Sequence, residues 1–292
     1  MSVTQFEEDC YLGQFIPLQY HHHMLTDEYR MGAFKAAIDQ AVFPGAKVLD
    51  LGGGTGVLSW FAAAKAGKVW CVEFNPDLVR EARRLLKLNQ GCEKIELVQA
   101  DAFEYLPPEP VDVVICEMLH PAMVCEKQVN VIKSFKERYL QRFGGPLSRF
   151  IPEAVLMAVQ PLQQNYRFMG FHAPIIQFQL PGGIHTDTME FAPPQVYSIL
   201  DFMQPVPDEF NWKGVFTLEQ AGQVNALRFI TKSILSISTS DDSLIEWQNH
   251  YLVLPFAEPV DAKAGSLLHV GFNYRAGGSL AHLQHAIAAT LG

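Results

Sequence analysis

The chain has no apolar run long enough to cross a bilayer, no CxxC pair, no excess of basic residues, and no internal repeat or low-complexity tract. A membrane-spanning helix needs about 18 or more consecutive apolar residues, so no membrane partner is expected. The opening Met-Ser-Val-Thr-Gln-Phe-Glu-Glu-Asp has neither the basic start nor the apolar centre of an export signal. Five cysteines, Cys10, Cys71, Cys92, Cys116 and Cys125, are odd in number and scattered, which argues for reduced thiols, a cytoplasmic protein and no metal ligand set. With 31 acidic against 22 basic residues the net charge is −9, which disfavours gripping nucleic acid through phosphates and would draw in a cationic partner.

What is present is a length of 292 residues with 49% hydrophobic content, enough for one substantial core and a second, smaller one. Apolar periodicity switches in the order of a doubly wound α/β domain: a helix over Met24–Val42, strand Lys47–Leu51, helix Gly56–Ala66, strand Lys68–Glu73, helix Pro76–Asn89 and strand Lys94–Gln99. Val111–Glu117 is a continuous apolar run ending in an acid, as in a buried parallel strand that delivers a residue to the ligand-binding edge of its sheet. A helix over Met123–Phe143 follows. From Phe150 the texture changes to short β-rich segments such as Ala154–Gln160, Leu227–Ser238, Tyr251–Pro255 and Leu267–Tyr274, read as an antiparallel barrel or sandwich. The expected division is a helical segment at 1–43, a Rossmann-like domain at 44–149 and a β domain at 150–292. Phe171–Pro193 is read as a small helical or loop insertion, and Ser279–Leu291 suits a strand or an amphipathic helix.

Val48-Leu-Asp-Leu-Gly-Gly-Gly-Thr-Gly56 runs a strand into a glycine-dense turn, where Gly52, Gly54 and Gly56 permit positive φ and close approach of a ligand to the backbone. Glu73 ends the next strand, where this fold places a carboxylate to accept ribose hydroxyls. A dinucleotide turn wants a third glycine where this chain has Val57. The GxGxG spacing resembles instead motif I of the class I S-adenosylmethionine-dependent methyltransferases, whose cofactor has no pyrophosphate; a plain glycine turn in any doubly wound sheet is the alternative.

Cys116-Glu-Met-Leu-His-Pro-Ala-Met-Val-Cys-Glu126 sets Glu117 and Glu126 around one loop. Two carboxylates facing one pocket stay ionised together only around a cation, and a forked, planar guanidinium is best shaped to bridge them; otherwise Glu126 decorates a solvent-facing helix. The arrangement resembles the double-glutamate loop of the protein arginine methyltransferases. The likeness extends along nearly the whole chain. His21-His-His-Met-Leu-Thr-Asp-Glu-Tyr-Arg30 resembles that family's cofactor-covering helix, Phe150-Ile-Pro-Glu-Ala154 its joint into a β-barrel, and Leu244-Ile-Glu-Trp-Gln248 its threonine-histidine-tryptophan loop.

The resemblance implies S-adenosylmethionine held by His21, Met24, Arg30, Gly52, Gly54, Gly56, Glu73 and Asp101, with Glu117 and Glu126 as the catalytic acids. Arg30 would pair with the cofactor's carboxylate, or else face solvent; Asp101 would accept from the adenine amine, or else cap a turn. Asp50 is read as organising the glycine turn. His21, His22 and His23 cannot easily converge on one metal from consecutive helix positions. The acceptor pocket would take Tyr11, Phe15, His120, Glu246 and Trp247. Here the pattern departs from the family: Phe15 stands for a tyrosine, Leu119, His120 and Pro121 for methionine, glycine and tyrosine, and Glu246 for the loop histidine that would pair with Asp27. Glu246 either adds a third acid or faces solvent. The implied partners are a cationic protein or peptide, or a small-molecule amine or guanidine as the alternative acceptor, and a second copy of the chain as a homodimer.

Overall fold

The computed structural model describes residues 18–238 and 242–292; the readings for Tyr11 and Phe15 fall outside them. Two helices, α1 (Leu18–Thr26) and α2 (Glu28–Ala41), replace the single helix expected over Met24–Val42. The break is local chemistry: the Asp27 carboxylate accepts the Arg30 backbone N–H at 2.9 Å and caps a new helix start.

Strands and helices then alternate as β1 (Lys47–Leu51), α3 (Val57–Ala63), β2 (Lys68–Glu73), α4 (Pro76–Leu86), β3 (Ile95–Gln99), β4 (Val113–Cys116), α5 (Gln128–Phe143) and β5 (Arg149–Ile151). The five strands form a parallel sheet in the order β3-β2-β1-β4-β5. All of β4 and nearly all of β1 and β2 are buried, as a sheet covered on both faces requires. Register places the chemistry. Leu51 is level with Val72 on one side and Cys116 on the other, so the next residues, Gly52, Glu73 and Glu117, emerge together at one edge. That edge is where strand order reverses about β1, the place at which a doubly wound sheet opens a crevice.

Helix α5 begins at Gln128 rather than at Met123, correcting the expectation. Ala122, Met123 and Cys125 have φ of 57°, 55° and 62°, and left-handed residues cannot continue a right-handed helix. Tertiary bonds hold them there: the Ala122 N–H donates to Thr231 Oγ1 at 2.7 Å and the Cys125 N–H to the Gly278 carbonyl at 2.8 Å.

The remainder is antiparallel: β6 (Ala154–Gln164), β7 (Arg167–Phe168), β8 (Phe171–His172), β9 (Gln177–Gln179), β10 (Thr188–Glu190), β11 (Gln195–Asp201), β12 (Glu209–Thr217), β13 (Gly222–Ser238), β14 (Ser243–Gln248), β15 (Tyr251–Ala262), β16 (Leu267–Arg275), α6 (Leu280–Ala286) and β17 (Ala288–Leu291). A seven-stranded sheet runs β10-β6-β13-β15-β9, with β11 also on β6 and β14 on β13; β12-β16-β17 form a second sheet, and β7 pairs with β8. Aromatic rings from both larger sheets meet in a shared core, Phe229 lying 5.2 Å and Tyr197 also 5.2 Å from Phe272 between ring centres. Phe171–Pro193 is not helical. It folds back as short strands, β9 onto β15 and β10 onto β6. The Ser279–Leu291 alternatives both occur, α6 first and β17 after it.

Candidate active site

The turn after β1 is built from backbone and absent side chains. Gly52 and Gly53 both donate their N–H to the Val72 carbonyl at 2.9 Å, and Gly52, Gly54 and Gly56 take φ of 77°, 53° and 82°. Gly53, which the spacing argument passed over, is the most crowded of the four, since a Cβ there would lie 2.3 Å from Cys71 Sγ. Gly54 donates its N–H to Glu73 Oε2 at 3.0 Å, and the Asn75 N–H donates to Glu73 Oε1 at 2.8 Å, so both oxygens are fixed and keep lone pairs free. Gly56 corrects an expectation: it starts α3 with its open side against Leu86, behind the turn and outside the cavity lining. Beneath the turn, Asp50 accepts from Ser59 Oγ at 2.6 Å, and burial pushes its carboxyl up to about 7, consistent with a role inside the turn.

A cavity of about 700 Å³ opens over this edge. Gly52, Gly54, Glu73 and Asp101 line it together with Glu117, Glu126, His120 and Trp247, and with His21, Met24 and Arg30 contributed by α1 and α2. His21 packs on Gly54, its ring carbon 3.0 Å from where a Cβ would stand, and its Nε2 is buried without a partner. Burial, with help from the Arg30 charge, pushes its pKa down. Asp101 does two things at once. It lines the cavity and caps a turn, its Oδ1 accepting from the Phe103 N–H at 2.9 Å.

Arg30 is only 6% exposed, which removes the solvent-facing alternative; it lines the cavity, and its guanidinium pairs with the Glu117 carboxylate. Phe34 and Trp247 flank it at 5.4 and 5.9 Å from their ring centres. Burial raises the Glu117 carboxyl, and the Arg30 charge and hydrogen bond pull it back down. Among the described residues Glu126 has no such ion-pair partner; burial first, and then the neighbouring Glu117 charge, push it up to about 8. The two acids thus sense each other across one cavity.

The loop between them is pinned. Its Met118 N–H donates to Oε1 of fully buried Gln128 at 3.0 Å, and its Leu119 carbonyl accepts from Asn249 Nδ2 at 3.1 Å. His120 Nδ1 lies 3.0 Å from the Pro121 carbonyl, and burial lowers its pKa, so the ring is neutral at pH 7. Glu246 does not join the site and corrects the expectation of a third acid: alternation along β14 sends Trp247 inward and Glu246 to the other face, where it pairs with Lys232 at 2.7 Å. Sequence reasoning also missed Asn249, His250 and Phe178 in the lining. The first two sit just past the singled-out tryptophan; Phe178 carries no local signal at all. Among the described residues no group of three or more His, Cys, Asp or Glu side chains could hold a metal ion.

Residues 48–139 match the family model of a methyltransferase domain. The chain carries a methyltransferase domain, and its two-domain architecture is that of solved arginine methyltransferases. An uncharacterised protein of Methanocaldococcus jannaschii is 29% identical to this methyltransferase over 91% of this chain and 95% of that one. Protein arginine N-methyltransferase 6 of Danio rerio is 33% identical over 47% of this chain, a match spanning 40% of that relative's length. Two solved structures share the fold over almost its whole length. Arabidopsis thaliana protein arginine methyltransferase 10 superposes with a TM-score of 0.71 at 20% identity, covering 91% of this chain and 89% of that one. The Trypanosoma brucei PRMT1 enzyme-prozyme heterotetrameric complex with AdoHcy gives 0.70 at 18% identity, covering 93% and 97%. The Trypanosoma brucei complex has AdoHcy bound. The residues suit S-adenosylmethionine: a glycine turn with no room for Cβ atoms, a carboxylate with spare acceptor capacity at Glu73, and a buried His21 nitrogen unpartnered among the described residues. Among the described residues no helix is long and apolar enough to cross a membrane.

Proposed function

We propose that this methyltransferase methylates a guanidinium nitrogen of arginine in a protein or peptide, with Glu117 and Glu126 as the acids that hold the acceptor. One observation carries the reading. Glu117 already accepts a guanidinium, that of Arg30, while Glu126 lines the same cavity with its carboxyl pushed up to about 8 by burial and by the Glu117 charge. A cationic acceptor entering between them would satisfy the second acid and shed its proton.

When bound, the donor supplies a methyl made electrophilic by its sulfonium. Glu73 would accept from the ribose hydroxyls, Asp101 from the adenine amine, and Arg30 would pair with the carboxylate, which would draw it from Glu117. A guanidinium is a poor nucleophile while its charge is delocalised. Glu117 and Glu126 would draw that charge towards the nitrogens they bind and leave the reacting nitrogen richer in electrons, a mainly electrostatic contribution, and the proton that nitrogen loses on methylation would pass to one of the two carboxylates and on to solvent. Alignment of nitrogen, carbon and leaving sulfur in a cavity cleared of water supplies the rest.

A small guanidine or amine as acceptor is the second reading, motivated by Pro121 and Phe15, which stand where the family pattern has tyrosines. We also propose that the chain pairs with a second copy through the exposed Phe171, Ile175 and Ile184 of the segment after β6. The test of function uses donor labelled in its methyl group and cell extract, followed by separation of polypeptide from small-molecule label. Label on arginine of polypeptides, lost with Glu126→Gln, supports the first reading; label confined to small molecules replaces it with the second.

A further inference from the structure

The cavity lining contains a residue that belongs to neither acid loop nor glycine turn. Phe178, the central residue of β9, lines the cavity and remains 51% exposed, so its ring stands at the mouth rather than in the core. It meets His120 edge to face with ring centres 5.8 Å apart, and His120 lies on the loop joining Glu117 to Glu126. That contact places Phe178 on the acceptor side. The cofactor-facing wall, Gly52 to Thr55 with Glu73 and Asp101, is formed by other loops.

A half-exposed aromatic at a cavity mouth needs an anchor, and this one is built. Next to Phe178, Gln179 is buried; its Oε1 accepts from Arg228 Nη2 at 3.1 Å, and its Nε2 donates to Gln164 Oε1 at 3.0 Å and Thr188 Oγ1 at 2.9 Å. Arg228, itself 3% exposed, is fixed by Gln160 at 3.0 Å, by Glu190 at 2.6 Å and by the Tyr251 ring beneath its guanidinium at 4.7 Å. This buried network has no part in methyl transfer. It ties β9 to β6, β10, β13 and β15, and alternation along the strand turns Phe178 to the other face.

We propose that Phe178 and His120 form an aromatic collar through which the acceptor's chain passes, its apolar stem packing on the Phe178 ring while its cationic head reaches Glu117 and Glu126. The favoured acceptor class is therefore a cation on an unbranched alkyl stem. The collar selects by apolar contact along that stem, and Gln179 is a positioning residue acting through β9. The inference rests on the proposed acceptor chemistry. Stem contact persists from the bound state to the transition state, so it governs KM rather than kcat. Losing the burial of one to two methylenes corresponds to roughly a four- to fifteenfold change.

The experiment compares wild type, Phe178→Ala, Phe178→Tyr and Gln179→Ala with two acceptor probes, Nα-acetyl-arginine methylamide and a ten-residue arginine-containing peptide. Binding of S-adenosylhomocysteine is measured beside turnover. Phe178→Ala is expected to raise the KM of the accepted probe about tenfold with kcat within twofold and unchanged S-adenosylhomocysteine affinity. Phe178→Tyr restores the wild-type KM, and Gln179→Ala reproduces part of the loss. An unchanged KM in Phe178→Ala, or a fall in kcat with KM constant, overturns the collar while leaving the arginine reading intact. Failure of wild type to methylate or bind either probe overturns that reading and the collar with it.

Discussion

Glu126→Gln should make the protein more stable at alkaline pH and inactive at every pH. Burial and the Glu117 charge push the folded-state carboxyl from an ordinary 4.5 up to about 8. The sign follows from proton counting. Below pH 4.5 both folded and unfolded chains hold the proton, and Glu126 is neutral to stability. As pH rises from 4.5 to 8 the unfolded chain ionises while the folded one keeps its proton, so stability falls; above 8 the penalty is complete. At 1.36 kcal/mol per unit, the shift sets a ceiling of about 5 kcal/mol. Relaxation of the cavity and water entry reduce this, and roughly 1 to 3 kcal/mol is expected. For a chain of this size that is a rise in melting temperature of roughly 3 to 8 °C. Thermal melts without ligand at pH 5 and pH 8.5 check it: the gain should be near zero at the lower pH and full at the higher. Methyl transfer by the same variant should fall at least about a hundredfold, the cost of removing one member of a buried charged contact. A variant less stable than wild type at pH 8.5, or one gaining equally at pH 5, would refute the reasoning.

Glu117→Gln should act oppositely on stability, because it strands the buried Arg30 guanidinium; a loss of about 3 kcal/mol is expected. Saturating S-adenosylhomocysteine, whose carboxylate gives Arg30 a new partner, should recover more melting temperature in this variant than in wild type. Gly53→Ala should weaken donor binding more than tenfold in calorimetry and lower the melting temperature, since its Cβ would press 2.3 Å from Cys71 Sγ. Glu246→Gln should change kcat/KM less than twofold, because its half-exposed pair with Lys232 lies off the cavity.

The cofactor half of the molecule was legible because its signals are local. A buried strand, a run of glycines and an acid at the end of the following strand define Gly52, Gly54 and Glu73 within 26 consecutive residues, Val48 to Glu73, and the parallel register brings them together. Even there, Gly53 was overlooked because its need for a missing Cβ comes from Cys71 on the neighbouring strand. The acceptor half was less legible because tertiary contacts decide it. Met123 and Cys125 read as helix, but hydrogen bonds from the Ala122 N–H to Thr231 and from the Cys125 N–H to Gly278 hold their loop out of it. Glu246 adjoins Trp247 in sequence, yet strand alternation sends the two side chains to opposite faces. Arg30 was placed by likeness on the cofactor, and its pairing with Glu117, 87 positions away, follows only from how α2 lies across the sheet edge. Phe178 sits in a segment without periodicity; only the buried Arg228 network explains its position at the mouth.

The central claim is that Glu117 and Glu126 together clasp a guanidinium beside the donor. Its most direct test is a titration of a peptide with ¹⁵N-labelled arginine into the protein saturated with S-adenosylhomocysteine, reading the guanidinium nitrogens by NMR. The account predicts shifted and separated Nη signals as rotation of the held group slows, with neither effect in the Glu117→Gln, Glu126→Gln double variant. Identical binding and identical Nη signals with the wild type and the double variant would contradict it.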